Sequence, residues 1–164
     1  MPPPVVNANE IRDGLYIGRR FGGYEASHWA NPFLVGEDTE ENRKTALWKY
    51  VLHILDSPMR FHLDQLRQAD RLICWCAPKL CHGHVLQWIM EHQQFRAPCN
   101  KCGEPLLSKM NIHKHDLGPN RALVYEQGEC HNPKCRHYRF THTAYIEPDT
   151  IPDWVAARRA EHHG

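Results

Sequence analysis

Seven cysteines carry most of the chemistry that residue types and spacing allow in this chain, and they fall into two groups. The first is the run Cys74-Trp75-Cys76-Ala77-Pro78-Lys79-Leu80-Cys81-His82-Gly83-His84. Three chemistries stay open for it. Cys74, Cys76 and Cys81 with His82 or His84 form a zinc-type ligand set, because thiolate and imidazole are the ligands zinc prefers. Cys81 could instead be a nucleophile, acidified by a helix N-terminus, with His82 or His84 as its base. In the third reading Cys74 and Cys76 are small buried strand residues, since free cysteine is among the most buried types. The second group is Cys99-Asn100-Lys101-Cys102-Gly103, answered by Cys130-His131-Asn132-Pro133-Lys134-Cys135. Two tight cysteine pairs across a hairpin-length insert make a zinc ribbon, each knuckle giving two thiolates to one tetrahedral ion. Four thiolates saturate that ion, so the nearby His113, His115, His131, His137 and His142 read as solvent-facing residues.

These groups need elements to hold them. Leu72-Ile73-Cys74 reads as a short buried strand, and Val85-Leu86-Gln87-Trp88-Ile89-Met90 as one apolar helix face ending near Gln94. The first cysteine group thus lies between a strand and the helix that follows it. In open α/β sheets ligands sit there, outside the carboxyl end of the strand. Gly14 to Gly18 reads as another strand, followed by a glycine-rich basic turn, Arg19-Arg20-Phe21-Gly22-Gly23. Asp38 or Thr39 caps a helix that runs to about Leu55, with Glu40 and Glu41 in its first turn and Leu47, Val51, Ile54 and Leu55 as its apolar stripe. Ser57-Pro58 opens a second helix carrying Met59, Leu63 and Leu66. Residues 1–9 read as a proline-stiffened lead-in, Leu123-Val124-Tyr125 and Tyr138-Arg139-Phe140 as ribbon strands, and the segment from Asp149 or Thr150 as a helix packed back through Trp154. The expected fold is α/β: a small mixed sheet with flanking helices in residues 10–95, an inserted four-cysteine zinc-ribbon β subdomain in 96–147, and a C-terminal helix in 148–164.

Composition bounds the partners. The formal net charge is +1, so nucleic acid would need a local basic patch. The ribbon supplies one in Lys101, Lys109, Lys114, Arg121, Lys134, Arg136 and Arg139. There is no apolar run long enough to cross a membrane and no signal-peptide pattern, so a cytoplasmic protein is expected, in a host bacterium if phage-encoded. Seven cysteines in a reducing compartment favour metal or catalysis over disulfides.

The polar blocks suggest a common pocket formed by Arg19, Asn31 and the loop from Cys76 to His82. Arg19 would anchor a phosphate or carboxylate, Asn31 would read a base edge, and His82 would take part in catalysis. Tyr16, Trp29 and Phe33 would supply apolar walls or a stacking surface for an extruded base.

Tyr16-Ile17-Gly18-Arg19, Trp29-Ala30-Asn31-Pro32-Phe33 and Cys74-Trp75-Cys76-Ala77-Pro78-Lys79-Leu80-Cys81-His82-Gly83 resemble the three signature blocks of domain-of-unknown-function family 4326. Arg43 and Tyr50 stand where that family places an arginine and a tyrosine. The resemblance spans about Gly14 to Glu91, leaves the ribbon outside, and implies a small α/β domain whose site is built by the three blocks together. A narrower resemblance is to phage enzymes that complete 7-deazaguanine modifications in DNA, in particular a methyltransferase acting on an aminomethyl-deazaguanine base. It implies DNA as partner and S-adenosylmethionine as methyl donor, although no glycine-rich G-x-G loop follows a first strand. A non-enzymatic zinc-stabilised nucleic-acid-binding module and a thiol enzyme acting on a free nucleotide or nucleobase are the alternatives.

Overall fold

The computed structural model describes residues 2–93, 99, 101–103, 111–130, 132–135 and 138–163. Its first sheet has three strands, β1 (Val5–Asn7), β2 (Leu15–Tyr16) and β3 (Leu72–Cys74), in the order β1-β3-β2. Both pairings are parallel, with Val5 and Leu15 flanking Leu72, and Val6 and Tyr16 flanking Ile73. The expected mixed sheet is therefore parallel throughout. The connection from β2 to β3 carries α1 (Glu40–Asp56) across the sheet, which brings the chain back in the same direction. The proline-stiffened lead-in is the larger correction. Val5 and Val6 pair with β3, and even Pro4 contributes its carbonyl, which accepts from the Leu72 N–H at 2.9 Å. The sheet thus begins ahead of residue 10.

Helix α1 starts as its sequence dictates, with Thr39 Oγ1 accepting from the Asn42 N–H at 3.1 Å. Its stripe of Leu47, Tyr50, Val51, Ile54 and Leu55 is buried. The Ser57-Pro58 start signal opens a 3-10 turn (Pro58–Phe61) and a separate short helix α2 (Asp64–Arg67) rather than one continuous helix. After β3, α3 runs from His82 to Gln93. The expected end at Gln94 lies outside the described residues.

The inserted subdomain is an antiparallel sheet of β4 (Asn111–Asp116), β5 (Ala122–Cys130) and β6 (Tyr138–Ile146) in chain order. Strand β4 had no counterpart in the sequence reading. Lys109, His131, Arg136 and His137 lie outside the described residues. The subdomain shares the main core, because Ala122, Val124 and Ile146 join one apolar cluster with Leu47, Val51 and Leu86. Trp48 Nε1 donates to the Pro119 carbonyl at 2.9 Å across the same boundary. Helix α4 (Thr150–His163) adds buried Ile151 and Val155 to the cluster, with Trp154 half-buried against it, and pairs with α3 through Arg158 and Glu91. Each fully buried aliphatic side chain here stabilises the fold by about 1.5–3 kcal/mol relative to exposure. No described helix is long and apolar enough to cross a membrane.

Candidate functional site

The first cysteine group occupies the turn from the carboxyl end of β3 to the amino end of α3, and three contacts fix that turn. Asn7, at the end of β1, donates through Nδ2 to the carbonyls of Trp75 at 3.1 Å and Ala77 at 2.6 Å. Gly83 lets α3 approach the sheet, since a Cβ there would stand 2.8 Å from Val5 Cγ1 and 3.1 Å from Ile17 Cδ1. The Cys81 N–H donates to His84 Nδ1 at 3.1 Å, so His84 closes the first turn as the glutamate of a capping box does. Burial, then the charge of Arg159, holds the His84 imidazole down to about 4.

His82 is also committed. Its Nε2 lies 2.8 Å from the Ile17 carbonyl, which can only accept, so Nε2 carries the proton. Burial pulls its pKa down to about 4, leaving a neutral ring with its lone pair on Nδ1. That atom makes no hydrogen bond among the described residues.

A cleft of about 480 Å³ opens over this turn. Arg19, Asn31, Phe33, Cys76, Cys81 and His82 all line it, so the predicted convergence of the three blocks is present. Each also makes contacts within the protein. Arg19 donates through Nε to the Asn31 carbonyl and through Nη2 to the Phe33 carbonyl, each at 2.8 Å, and so clamps that loop. Asn31 is 8% exposed and accepts at Oδ1 from the Phe33 N–H at 2.9 Å, while its Nδ2 has no partner among the described residues. Tyr16 and Trp29 do not wall the cleft. They line a separate hollow of about 680 Å³ with Tyr24 and Met59. Alternation along the strand explains this for Tyr16: Ile17 meets α3, so Tyr16 faces the other way and stacks on Tyr24 at 4.2 Å. Its hydroxyl donates to the Arg19 carbonyl at 2.5 Å and accepts from Trp75 Nε1 at 2.9 Å. Trp29 is buried against α1, its carbonyl accepting from the Tyr50 hydroxyl at 2.8 Å. The aromatic walls of the cleft are Phe33, Phe21 and Trp75, the last two meeting edge to face at 5.1 Å.

Phe21, Trp75 and Arg43 line the cleft outside the expected site residues, and for Arg43 its place in the family pattern is a signal. Its Nε bonds Asp38 Oδ1 at 2.5 Å, its Nη1 reaches the Leu80 carbonyl at 3.4 Å, and its guanidinium also meets the Cys76 thiol. Lys79 Nζ holds the other Asp38 oxygen at 2.7 Å. Hydrogen bonds from Arg43 and then Lys79 keep the Asp38 carboxyl down at about 2.

The cysteines of this loop do not gather as a metal centre. Strand β3 ends at Cys74, so Cys76 sits in the turn and not on the strand face of Cys74. Cys74 and Cys81 stand with sulfurs 3.5 Å apart, while His82 Nε2 and His84 Nδ1 face backbone groups. The hydrogen bond between them draws Cys74 down to about 7, and the same pairing together with burial pushes Cys81 up.

Among the described residues the metal-ligand cluster is that of Cys99, Cys102, Cys130 and Cys135, whose sulfurs all lie within 4.8 Å of one another. The separations Cys99–Cys135, 3.8 Å, and Cys102–Cys130, 3.7 Å, match the edge of a tetrahedron with metal–sulfur bonds of about 2.3 Å, which is about 3.8 Å. The Lys101 N–H to Cys99 Sγ at 3.4 Å and Asn132 Nδ2 to Cys102 Sγ at 3.5 Å support the sulfurs from outside. Desolvation, then the neighbouring thiols, pushes Cys135 up to about 12, a burden that a bound cation removes. The donor set and its spacing fit an ion such as zinc.

The fold and cleft define a small parallel α/β domain with a cleft at the carboxyl end of the central strand and, docked on its core, a ribbon whose four cysteines could hold a metal ion. Residues 6–92 match the family described as Domain of unknown function (DUF4326), and the chain belongs to that family. No curated protein and no solved structure matches the chain.

Proposed function

We propose that the cleft is the active site of an enzyme that modifies a nucleobase in DNA, with zinc in the ribbon's four thiolates and the ribbon holding the nucleic acid. The observation that carries this reading is the composition of the cleft. Aromatic walls from Phe21, Phe33 and Trp75 stand beside a spare amide donor at Asn31 and a neutral histidine, His82. A planar heterocycle with polar edges suits such a site, flat faces against the rings and a ring or exocyclic acceptor on Asn31 Nδ2. Arg19 orders the loop that presents Asn31, and Arg43 lines the cleft beside the Leu80 carbonyl.

The finer reading, methyl transfer from S-adenosylmethionine to the aminomethyl group of a 7-deazaguanine base, draws on the sequence resemblance to phage modification enzymes. The chain after β1 has no glycine-rich turn of the ordinary methyltransferase kind, so the donor finds no such cradle here. The test is nucleoside mass spectrometry of aminomethyl-deazaguanine DNA incubated with zinc-loaded protein and S-adenosylmethionine. The expected product carries the mass of one added methyl group. Asn31→Asp keeps an oxygen to accept from the Phe33 N–H but puts a carboxylate oxygen in place of the spare donor, so turnover should be lost, with thermal unfolding of the variant measured alongside to separate that loss from unfolding. DNA binding without any altered nucleoside would refute the enzyme and leave a zinc-stabilised binding module. Turnover of the free nucleotide alone would favour the thiol-enzyme alternative, which the Cys74–Cys81 contact supports.

A further inference from the structure

The floor of the cleft holds two sulfurs that the nucleobase reading does not use. We infer that Cys74 and Cys81 form a thiol–disulfide exchange centre, with Cys74 as the attacking sulfur and small disulfides as its substrates.

Placement comes first. Cys74 closes β3 and Cys81 precedes α3, so the intervening turn returns the chain to put the two sulfurs 3.5 Å apart. A disulfide bond is about 2.05 Å, so closure asks for only about 1.5 Å of approach, shared between two side-chain rotations. Both sulfurs line the cleft, which connects them to a ligand space. At about 480 Å³ that space lies in the roughly 300–1,000 Å³ range of small-molecule sites.

The direction of attack follows from bonding. Cys81 stands at the mouth of α3, its N–H taken by His84 Nδ1, and either sulfur can donate in its contact with Cys74. Two turn amides, those of Cys76 and Ala77, face the Cys74 sulfur where Gly83 alone faces that of Cys81, so a thiolate is better held on Cys74, which makes it the attacking sulfur.

The cleft also carries an independent mark of a ligand. Asn31 is more than nine-tenths buried, lines the same space and has a spare Nδ2 donor among the described residues. Arg43 adds a cation beside the Cys76 turn. An amide carbonyl for Asn31 and a carboxylate for Arg43 describe the disulfide of a small peptide-like thiol.

The reaction balances as ordinary exchange. Cys74 thiolate attacks one sulfur of the small disulfide, so a Cys74–S bond forms, the small S–S bond breaks and one small thiolate leaves. Cys81 then loses its proton and attacks Cys74 Sγ, forming Cys74–Cys81 and releasing the second small thiol. The protein pair is oxidised by two electrons, the small disulfide is reduced to two thiols, and the two protons lost by the pair end on those thiols.

The experiment uses the full zinc-loaded chain with oxidised glutathione as probe. Reaction at neutral pH is followed by acid quenching, peptide mass mapping and a zinc count on the same sample. The wild type should lose both thiols to a Cys74–Cys81 linkage with zinc retained. Cys81→Ser should stop at one glutathione on Cys74, and Cys74→Ser should leave Cys81 unmodified. The wild-type sample decides the matter even where a variant fails to fold. Both thiols persisting in the native chain, under conditions that oxidise them in urea, would overturn the assignment. So would glutathione arriving on Cys81 or Cys76 with Cys74 untouched.

Discussion

Gly83 offers a sharp test of how the cleft is held, because two physical effects of opposite sign meet there. Replacing a helical glycine by alanine stabilises a helix by up to about 1 kcal/mol, and less in the first turn, where Gly83 lies. Against that, the new Cβ would stand 2.8 and 2.9 Å from the two γ-methyls of Val5 and 3.1 Å from Ile17 Cδ1. Carbon pairs rest at about 3.5–4.0 Å, so each contact is short by several tenths of an ångström. The Ile17 methyl can swing aside, but Val5 is β-branched and stiff, on a strand paired with β3. Overpacking of this kind costs about 1–3 kcal/mol, so Gly83→Ala should destabilise by about 1–2 kcal/mol net. For a chain of this size that lowers Tm by about 2–8 °C. The assay is thermal and urea unfolding of the four corners of a Gly83→Ala/Val5→Ala cycle. Val5→Ala removes both clashing methyls, so adding Gly83→Ala to it should cost less than about 0.5 kcal/mol. A rise in Tm for Gly83→Ala alone, or an equal cost in both backgrounds, would show that β1 does not set the height of α3.

Further outcomes follow from single side chains. Cys102→Ser should remove one equivalent of zinc and loosen the ribbon strands, read by elemental analysis and amide exchange, because ligation and local folding are coupled. Arg19→Ala deprives two carbonyls of their donor and should cost about 1–3 kcal/mol, with amide exchange quickening in residues 29–36. His82 and His84, held at about 4 when folded against about 6.5 unfolded, mean that the unfolded chain binds more protons between those values. Stability should therefore be full above pH 6.5 and fall as pH drops towards 4, by about 2 kcal/mol per histidine at pH 5, which urea titration at several pH values measures. A flat profile from pH 7 to 5 would contradict the buried, neutral assignment of both rings.

What could be read in the sequence was what local spacing decides. The ribbon ligands depend on two short knuckles, and the Thr39 cap on a side chain bonding within its own turn. Strand β1 escaped notice because two valines between prolines and asparagines carry no periodicity, and only their pairing with β3 makes them a strand. Strand β4, Asn-Ile-His-Lys-His-Asp, likewise exists through its ladder with β5 and not through apolar alternation. At the site, convergence of Arg19, Asn31 and the Cys76–His82 loop was legible, because all three are polar turn-forming blocks. Their contacts were not. Whether a guanidinium meets a ligand or a carbonyl depends on where a loop more than ten residues away folds back, as residues 31–33 do onto Arg19. The outward face of Tyr16 and the buried position of Trp29 are consequences of sheet and helix packing that no single segment encodes.

The way the turn is held also separates scaffold from chemistry. Strand β3 lies between two neighbours, so both edges of the sheet reach its carboxyl end. Asn7, just past the paired valines of β1, ties down the carbonyls of Trp75 and Ala77. On the other side, the Ile17 carbonyl beyond β2 fixes His82, and Arg19 fixes the loop that carries Asn31. Each of these contacts consumes a donor or acceptor. His84 spends its Nδ1 on the helix start, and Tyr16 its hydroxyl on Arg19 and Trp75. Among the described residues of the cleft, the His82 Nδ1 lone pair and the Asn31 Nδ2 donor keep no protein partner. Neither atom is fully buried, so each opens to the cleft, where water or a ligand can reach it. Both lie where the strand end, the helix start and the three sequence blocks meet, and a ligand in the proposed site would find its polar partners there.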